Sequence, residues 1–219
     1  MMMELAQARF NMIEQQIRPW DVLDQRVLDL FENLPRENFV SEQNRSIAYA
    51  DVCVAIGHGE VMMAPKIEAR LVQALNIQAD ENVLEIGTGS GYVTALMASL
   101  GKHVTSIDIQ PEFLELAKTR FDANGISNIT LEEGDAANGK TGEQTFDVIA
   151  VTGSLPLYND CFEASLNVGG RLFVVAGQAP IMEALLITRV TENEWVKQSL
   201  FETDLPALQN AKSPTGFVF

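Results

Sequence analysis

The stretch Val83-Leu84-Glu85-Ile86-Gly87-Thr88-Gly89-Ser90-Gly91-Tyr92 decides how the rest of the chain is read. Residues of strand character run into glycines at alternate positions, and Val93, Leu96, Met97 and Leu100 then follow at helical spacing. A strand–turn–helix unit of this kind belongs to a parallel sheet. Glycine admits positive φ in the turn and lets a ligand lie against bare backbone. The spacing is GxGxG, not the GxGxxG that seats a dinucleotide pyrophosphate, which disfavours nicotinamide chemistry. Taken alone, the loop also fits a glycine-rich turn with no ligand.

Downstream, short apolar strands are predicted at 83–86, 104–107, 129–132, 148–151 and 171–175. Helices are predicted between them at 91–100, at 111–123 behind Pro111, and at 156–167 ahead of Gly169-Gly170. The alternation implies an α/β fold with a doubly wound, mostly parallel sheet and helices on both faces. Residues 184–190 and 195–201 flank Thr191-Glu192-Asn193-Glu194, the pattern of a C-terminal β-hairpin. Gly87, Asp108, Asp135 and Thr152 all fall at carboxyl ends of parallel strands, the edge where such sheets bind ligands. Asp108 follows the glycine loop by about 20 residues, where a carboxylate can accept hydrogen bonds from ribose hydroxyls. Together these positions imply a nucleoside-containing cofactor.

Upstream, residues 4–18 read as an amphipathic helix with Phe10, Ile13 and Ile17 on one face. A second helix is predicted over 25–34, capped by Asp24 and stopped by Pro35. Residues 35–64 look irregular, and are too many for a slack connection. Pro65 opens a helix that stacks Ile67, Leu71 and Leu75. The chain thus divides into a helical, substrate-side extension (1–78) and a cofactor-binding domain (79–219) that includes the hairpin.

Composition mostly excludes. Among 219 residues, 15 basic side chains face 30 acidic ones, a formal charge of −15 that repels phosphate backbones and argues against nucleic-acid substrates. The best apolar run is broken by Gly177, Gln178, Pro180 and Glu183, so no membrane span is expected. The start, MMMELAQARF, lacks the charged-then-apolar pattern of a signal peptide. Cys53 and Cys161 lie far apart without a CxxC, the usage of a reduced, cytoplasmic protein with small buried thiols. His58 and His103 have no partner at ligand spacing, so no metal is predicted.

VLEIGTGSGY, the acidic residue after the second strand and Gly134-Asp135-Ala136 resemble the S-adenosylmethionine pocket of the Rossmann-like, seven-stranded methyltransferases. Ile13-Glu14-Gln15-Gln16-Ile17-Arg18, Leu34-Pro35-Arg36-Glu37-Asn38-Phe39-Val40, Ala48-Tyr49, Ile56-Gly57-His58-Gly59 and Gly169-Gly170-Arg171-Leu172 are similar to the protein-L-isoaspartate O-methyltransferases in particular. The resemblance runs over about 10–178. It implies that Gly87, Gly89 and Gly91 face the methionine part of S-adenosylmethionine, with Glu85 beneath the loop, Asp108 at the ribose and Asp135 near the adenine. Thr88, Ile109, Ala136 and Thr152 complete the implied cofactor-binding set. The implied chemistry is in-line attack of a damaged aspartyl carboxylate on the sulfonium methyl. A carboxylate is ionised at neutral pH, with a reference pKa of about 4, and needs no general base.

Family members read GHGQTISQP where this chain reads GHGEVMMAP, with the serine hydroxyl at the reacting carboxylate. Here Met63 stands at the serine position and Glu60 at the glutamine; with His58 they are the candidate acceptor-side residues. Losing one transition-state hydrogen bond costs on the order of 10²–10³ in rate. Glu60 would repel an arriving carboxylate by roughly 3 kcal/mol at ~5–6 Å and an effective dielectric of about 20. The family segment VRFVPL is replaced by Leu200-Phe201-Glu202-Thr203-Asp204-Leu205. Met62 and Met63 fit a packing role under the next helix, an adaptable wall for a different acceptor, or a weakened isoaspartyl site. Peptide and small-molecule acceptors therefore both stay open, as does a non-catalytic module that binds the cofactor. For Trp20, Phe39 and Tyr49 a packing role is the expectation, and for His58 a hydrogen-bonded loop position beside the pocket.

Overall fold

The computed structural model describes residues 2–139 and 144–214. Helix α1 (Met2–Met12) continues through a wide π turn (Ile13–Ile17) and a 3-10 turn (Arg18–Trp20), so the helix predicted over 4–18 changes its winding part-way. Ile13 and Ile17 are buried, but Phe10 is 58% exposed and does not join their face. Helix α2 (Gln25–Asn33) starts as expected at Asp24, whose side chain accepts from the Arg26 N–H. The stretch 35–64 is not featureless. It holds 3-10 turns at Arg36–Phe39 and Glu42–Ile47, then an antiparallel hairpin, β1 (Val54–Gly57) and β2 (Glu60–Met62). Its two-residue turn, His58-Gly59, has φ of 53° and 82°, the positive values that the tightest hairpin turns require. Helix α3 (Pro65–Leu75) buries Ile67, Leu71 and Leu75.

The sheet strands are β3 (Asn82–Ile86), β4 (His103–Asp108), β5 (Ile129–Glu133), β6 (Phe146–Leu155), β7 (Leu166–Gln178), β8 (Ile181–Thr191) and β9 (Glu194–Thr203), with helices α4 (Tyr92–Ala98) and α5 (Pro111–Ala123) in the first two crossovers. Their order is β5-β4-β3-β6-β7-β8-β9. The strands β5 to β7 are parallel, and β8 and β9 add antiparallel as the predicted C-terminal hairpin. The chain steps outward from β3 to β5 and then returns to the other side of β3. That reversal opens a crevice at the carboxyl ends of β3 and β6.

Alternate strand positions feed two apolar clusters. Val83, Val104, Val148 and Phe173 pack with α3, α4 and the N-terminal residues Met12, Ile17, Phe31 and Phe39 in one. Leu84, Ile149, Leu172 and Val174 form the other, covered by Phe162, Tyr158 and Leu208. The helix predicted at 156–167 is absent: this segment makes only a 3-10 turn at Glu163–Ser165. Asn159 accepts the Cys161 N–H at 3.1 Å, a local side-chain turn that competes with helix. Leu157, near the start of this segment, is 46% exposed. Cys53 is exposed rather than buried. No helix among the described residues is long and apolar enough to cross a membrane.

Candidate active site

At the reversal point lies an open cleft whose walls include Gly87, Gly89, Asp108, Ile109, Asp135, Ala136 and Thr152. Gly87 has φ 98°, and a Cβ there would lie 2.6 Å from Thr152 Oγ1. Thr152 donates its hydroxyl to the carbonyl of Gly87 (2.6 Å) or Ile86 (2.9 Å), tying the irregular end of β6 to β3. Asp108 accepts from the N–H groups of Gly89 (2.8 Å) and Gln110 (2.9 Å), which orient its carboxylate beside the loop. Burial raises its pKa, the two N–H groups oppose the rise, and the charge of Glu60 adds to it. Asp135 is exposed at the far end and accepts the Ala137 N–H at 3.1 Å. Gly91 behaves differently from the other loop glycines. It caps α4 at φ 81°, and a Cβ there would meet Ala117 and Phe121 at 3.0 Å, so it serves helix packing rather than the cleft.

Beneath the loop Glu85 is fully buried. Its Oε2 accepts the Ser106 hydroxyl at 2.5 Å and the Thr94 hydroxyl, while Thr88 and Ser106 pair at 2.6 Å. Its Oε1 has no hydrogen-bond partner among the described residues. Burial, with a contribution from Asp108, pushes the Glu85 carboxyl up to about 8 against the hydroxyls' opposing pull. A buried carboxyl oxygen left unpaired in the interior is costly, and a cationic donor placed beside it would favour the ionised form.

Glu85 also borders a second recess of about 300 Å³, which shares Gly87, Gly89 and Thr152 with the cleft. Its acceptor-side wall is Ile56, Val61, Met62, Met63 and Val93, with Glu68 below. Met62 and Met63 are each 4% exposed, so they belong to the core and line the recess at once. Their loop is fixed from behind. Arg36, fully buried, donates to the carbonyls of Met63 and Ala48, both at 2.5 Å, and pairs with buried Glu68 at 3.0 Å. Gln16, in the π turn, donates to the Tyr49 carbonyl at 3.0 Å, and the Tyr49 hydroxyl donates to Glu37. Thus the upstream motifs act as a clamp on the 48–64 loop, a role that sequence reasoning missed. Leu34-Pro35-Arg36 was the available signal, but nothing local in it shows that the arginine is buried.

Glu60 stands on the rim, its Oε1 accepting from Gln209 at 3.0 Å. His58 sits at the hairpin tip, packs edge-on against Phe113 with centroids 5.3 Å apart, and lines neither cavity. It stands 3.9 Å from Glu112, so the expected loop position holds while the pocket role does not.

The sequence profile of the protein-L-isoaspartate(D-aspartate) O-methyltransferases matches residues 7–204. The chain belongs to this family. It is an S-adenosylmethionine-dependent O-methyltransferase by that membership. It is 36% identical over 197 residues to protein-L-isoaspartate O-methyltransferase 2 of Marinobacter nauticus, covering 90% of each chain. It is 36% identical over 202 residues to protein-L-isoaspartate O-methyltransferase of Syntrophus aciditrophicus, covering 91% of this chain and 93% of the relative. Two solved structures share the fold. One, named protein-L-isoaspartate O-methyltransferase, has a TM-score of 0.78 at 24% identity over 94% of this chain and 67% of its own. The other, a Plasmodium falciparum protein assigned to the same enzyme and solved with S-adenosyl-L-homocysteine, has a TM-score of 0.76 at 19% identity over 94% and 98%. Within this family frame, Met63 remains the departure. It offers a backbone carbonyl already taken by Arg36 and a thioether, a weak acceptor that cannot donate.

Proposed function

We propose that the cleft holds S-adenosylmethionine and that the adjoining recess admits the carboxylate of an isoaspartyl residue in a peptide. The observation that carries this reading is the unpartnered, buried Oε1 of Glu85 beside the recess. A ligand ammonium is the donor that this oxygen lacks. Asp108 would take the ribose hydroxyls, Asp135, Ile109 and Ala136 would border the adenine, and Gly87, Thr88 and Gly89 would lie along the methionine part. Thr152 would keep Gly87 in place from β6. When bound, the cofactor supplies an electrophilic methyl on a sulfonium.

This chain's residues then bind, orient and exclude water. The apolar wall of Ile56, Val61, Met62 and Met63 dries the recess, and Arg36 fixes that wall through the Met63 carbonyl. Positioning of this kind can supply up to ~7–11 kcal/mol without a proton-transfer residue. Calorimetry with S-adenosylhomocysteine and with NAD tests the cofactor assignment, and transfer of labelled methyl to an isoaspartyl peptide tests the acceptor. Binding of NAD in preference, or no transfer above background, would remove the corresponding half.

A second reading is supported by the recess itself. Val61 and Met63 present apolar atoms where the family has threonine and serine hydroxyls, Met62 extends the same apolar wall, and a small, neutral, apolar acceptor fits them. Release of S-adenosylhomocysteine in a panel of hydroxyl and carboxyl acceptors tests it; turnover confined to isoaspartyl peptides would exclude it.

A further inference from the structure

Past β9 the chain does not leave the molecule. It turns back across the carboxyl edge of the sheet, and its path divides into an anchored part and a held part. Leu205 is buried, and its carbonyl accepts the Ser154 hydroxyl at 2.8 Å. Ser154 N–H donates to the Pro206 carbonyl, and Leu208 N–H donates to the Ser154 carbonyl, both at 2.9 Å, so 205–208 runs as a short parallel ladder along β6. Between Leu208 and Ala211, both packed against the apolar cluster of Leu84 and Ile149, the ties to the rest of the molecule are polar side chains. Gln209 accepts from Gln110 at 3.1 Å on the cofactor side and donates to Glu60 at 3.0 Å on the acceptor hairpin. Asn210 donates to Asp135 at 2.8 Å, and its carbonyl accepts from Asn138 at 3.1 Å.

Leu208 and Gln209 both form part of the cleft wall. Leu208 rests on Gly153, where a Cβ would come 2.7 Å from its Cδ2, and one at Gly87 would be 3.6 Å away. Gly153 thus leaves room for the strap on the strand end that borders the cleft. A nucleoside entering between Asp108 and Asp135 has to pass beneath Gln209 and Asn210, whose half-buried and exposed amide bonds are the weakest part of this wall. Exchanging such bonds for water costs little, whereas the buried Leu205 anchor is expensive to release.

We propose that the segment 205–210 is the outer wall of the cofactor site. Leu208 is a cofactor-contacting residue, and Gln209 is a positioning residue that couples the covered cofactor to the acceptor hairpin through Glu60. Gln209 and Asn210 lift to admit the ligand and settle on it while Leu208 stays on its ladder as a fixed wall, and the same movement draws Glu60 and its hairpin into place. This rests on the cleft being the cofactor site, and neither residue belongs to the glycine-loop motif or to the matched 7–204.

Hydrogen exchange on the full-length protein, with and without saturating S-adenosylhomocysteine, tests the proposal. Added protection is expected in three places: the glycine loop 87–91, the amides of 208–211, and the hairpin 57–61. Protection of the glycine loop without the strap would overturn the wall while leaving the cofactor reading intact. Protection in neither would overturn both. Leu208→Ala is expected to speed S-adenosylhomocysteine release about tenfold through lost apolar contact. An unchanged rate would remove Leu208 from the site. In Gln209→Met, which keeps the length and loses the amide, protection of 87–91 is expected to persist while that of 57–61 is lost. Hairpin protection equal to wild type would show that Gln209 couples nothing.

Discussion

Glu85 carries an expectation about pH and Asp108 one about affinity. In the free protein burial holds the Glu85 carboxyl near 8, against an ordinary 4.5, so the folded chain keeps a proton that the unfolded chain gives up. Stability therefore falls as pH rises through that window and levels off above it. A ligand ammonium beside Oε1 favours the carboxylate, so cofactor binding should release a proton below pH about 8. Affinity should then climb from pH 6 to 8 by at most about tenfold per unit. Calorimetry in two buffers of different ionisation heat measures the released proton directly. Glu85→Gln should bind more weakly and without pH dependence; a flat wild-type profile would sink the assignment. Asp108→Ala should weaken S-adenosylhomocysteine binding by about 1.5–3 kcal/mol, since a charged acceptor is lost. Unchanged affinity in a folded variant would show the ribose to lie elsewhere. Asp108 was legible from its strand end, and Glu85 only through the family resemblance. The orphaned oxygen was not, because it depends on which hydroxyls α4 and β4 bring to the other side of the same carboxylate.

The element that determines the acceptor side is the loop between β2 and α3, held from outside itself. Arg36 and Glu68 are both fully buried, and Arg36 also holds two carbonyls of the loop region. Burial raises the Glu68 pKa and the guanidinium opposes the rise. Removing the arginine alone leaves a buried carboxyl without its cation, so Arg36→Met should cost about 3–5 kcal/mol in urea denaturation. Adding Glu68→Leu should recover much of that, whereas the loop stays unclamped and methyl transfer stays low. A double variant as unstable as the single would show that the carbonyl ties, not the ion pair, dominate. Met63→Ser tests the loop's chemistry without moving its backbone, and a gain in labelled methyl on an isoaspartyl peptide is the expected result. Sequence reasoning located α3 and the β8–β9 hairpin because Pro65 and the alternating 184–201 pattern are local signals. It failed at 156–167, where a helix was expected ahead of Gly169-Gly170. There the Asn159 turn and the early start of β7 decide the matter, and both depend on the neighbouring strand.

At the scale of the molecule, the parallel strands were legible because most are short apolar runs ending at a glycine, a carboxylate or a threonine, whereas their order came only with the structure. What covers the second face of the sheet was not legible, since a loop and a returning C-terminal strap have no periodicity to read. The charge of −15 was legible from composition alone, and it bears on the acceptor. Glu60 lies on the rim between cleft and recess, and exposed Glu112 stands beside His58 of the same hairpin, so an acidic isoaspartyl peptide reaching the recess would meet both the net charge and a negative local field. Such repulsion acts on encounter more than on chemistry, and salt shortens its reach from about 30 Å at 0.01 M to about 8 Å at 0.15 M. For an acidic peptide, KM should therefore fall as salt is raised across that range while kcat holds steady. For a lysine-rich peptide with the same isoaspartyl residue, KM should rise instead. Steady-state kinetics with the pair of peptides makes the comparison within one protein, so salt effects on stability or cofactor binding move both alike. Equal responses from the two would mean that the acceptor does not enter through this acidic rim.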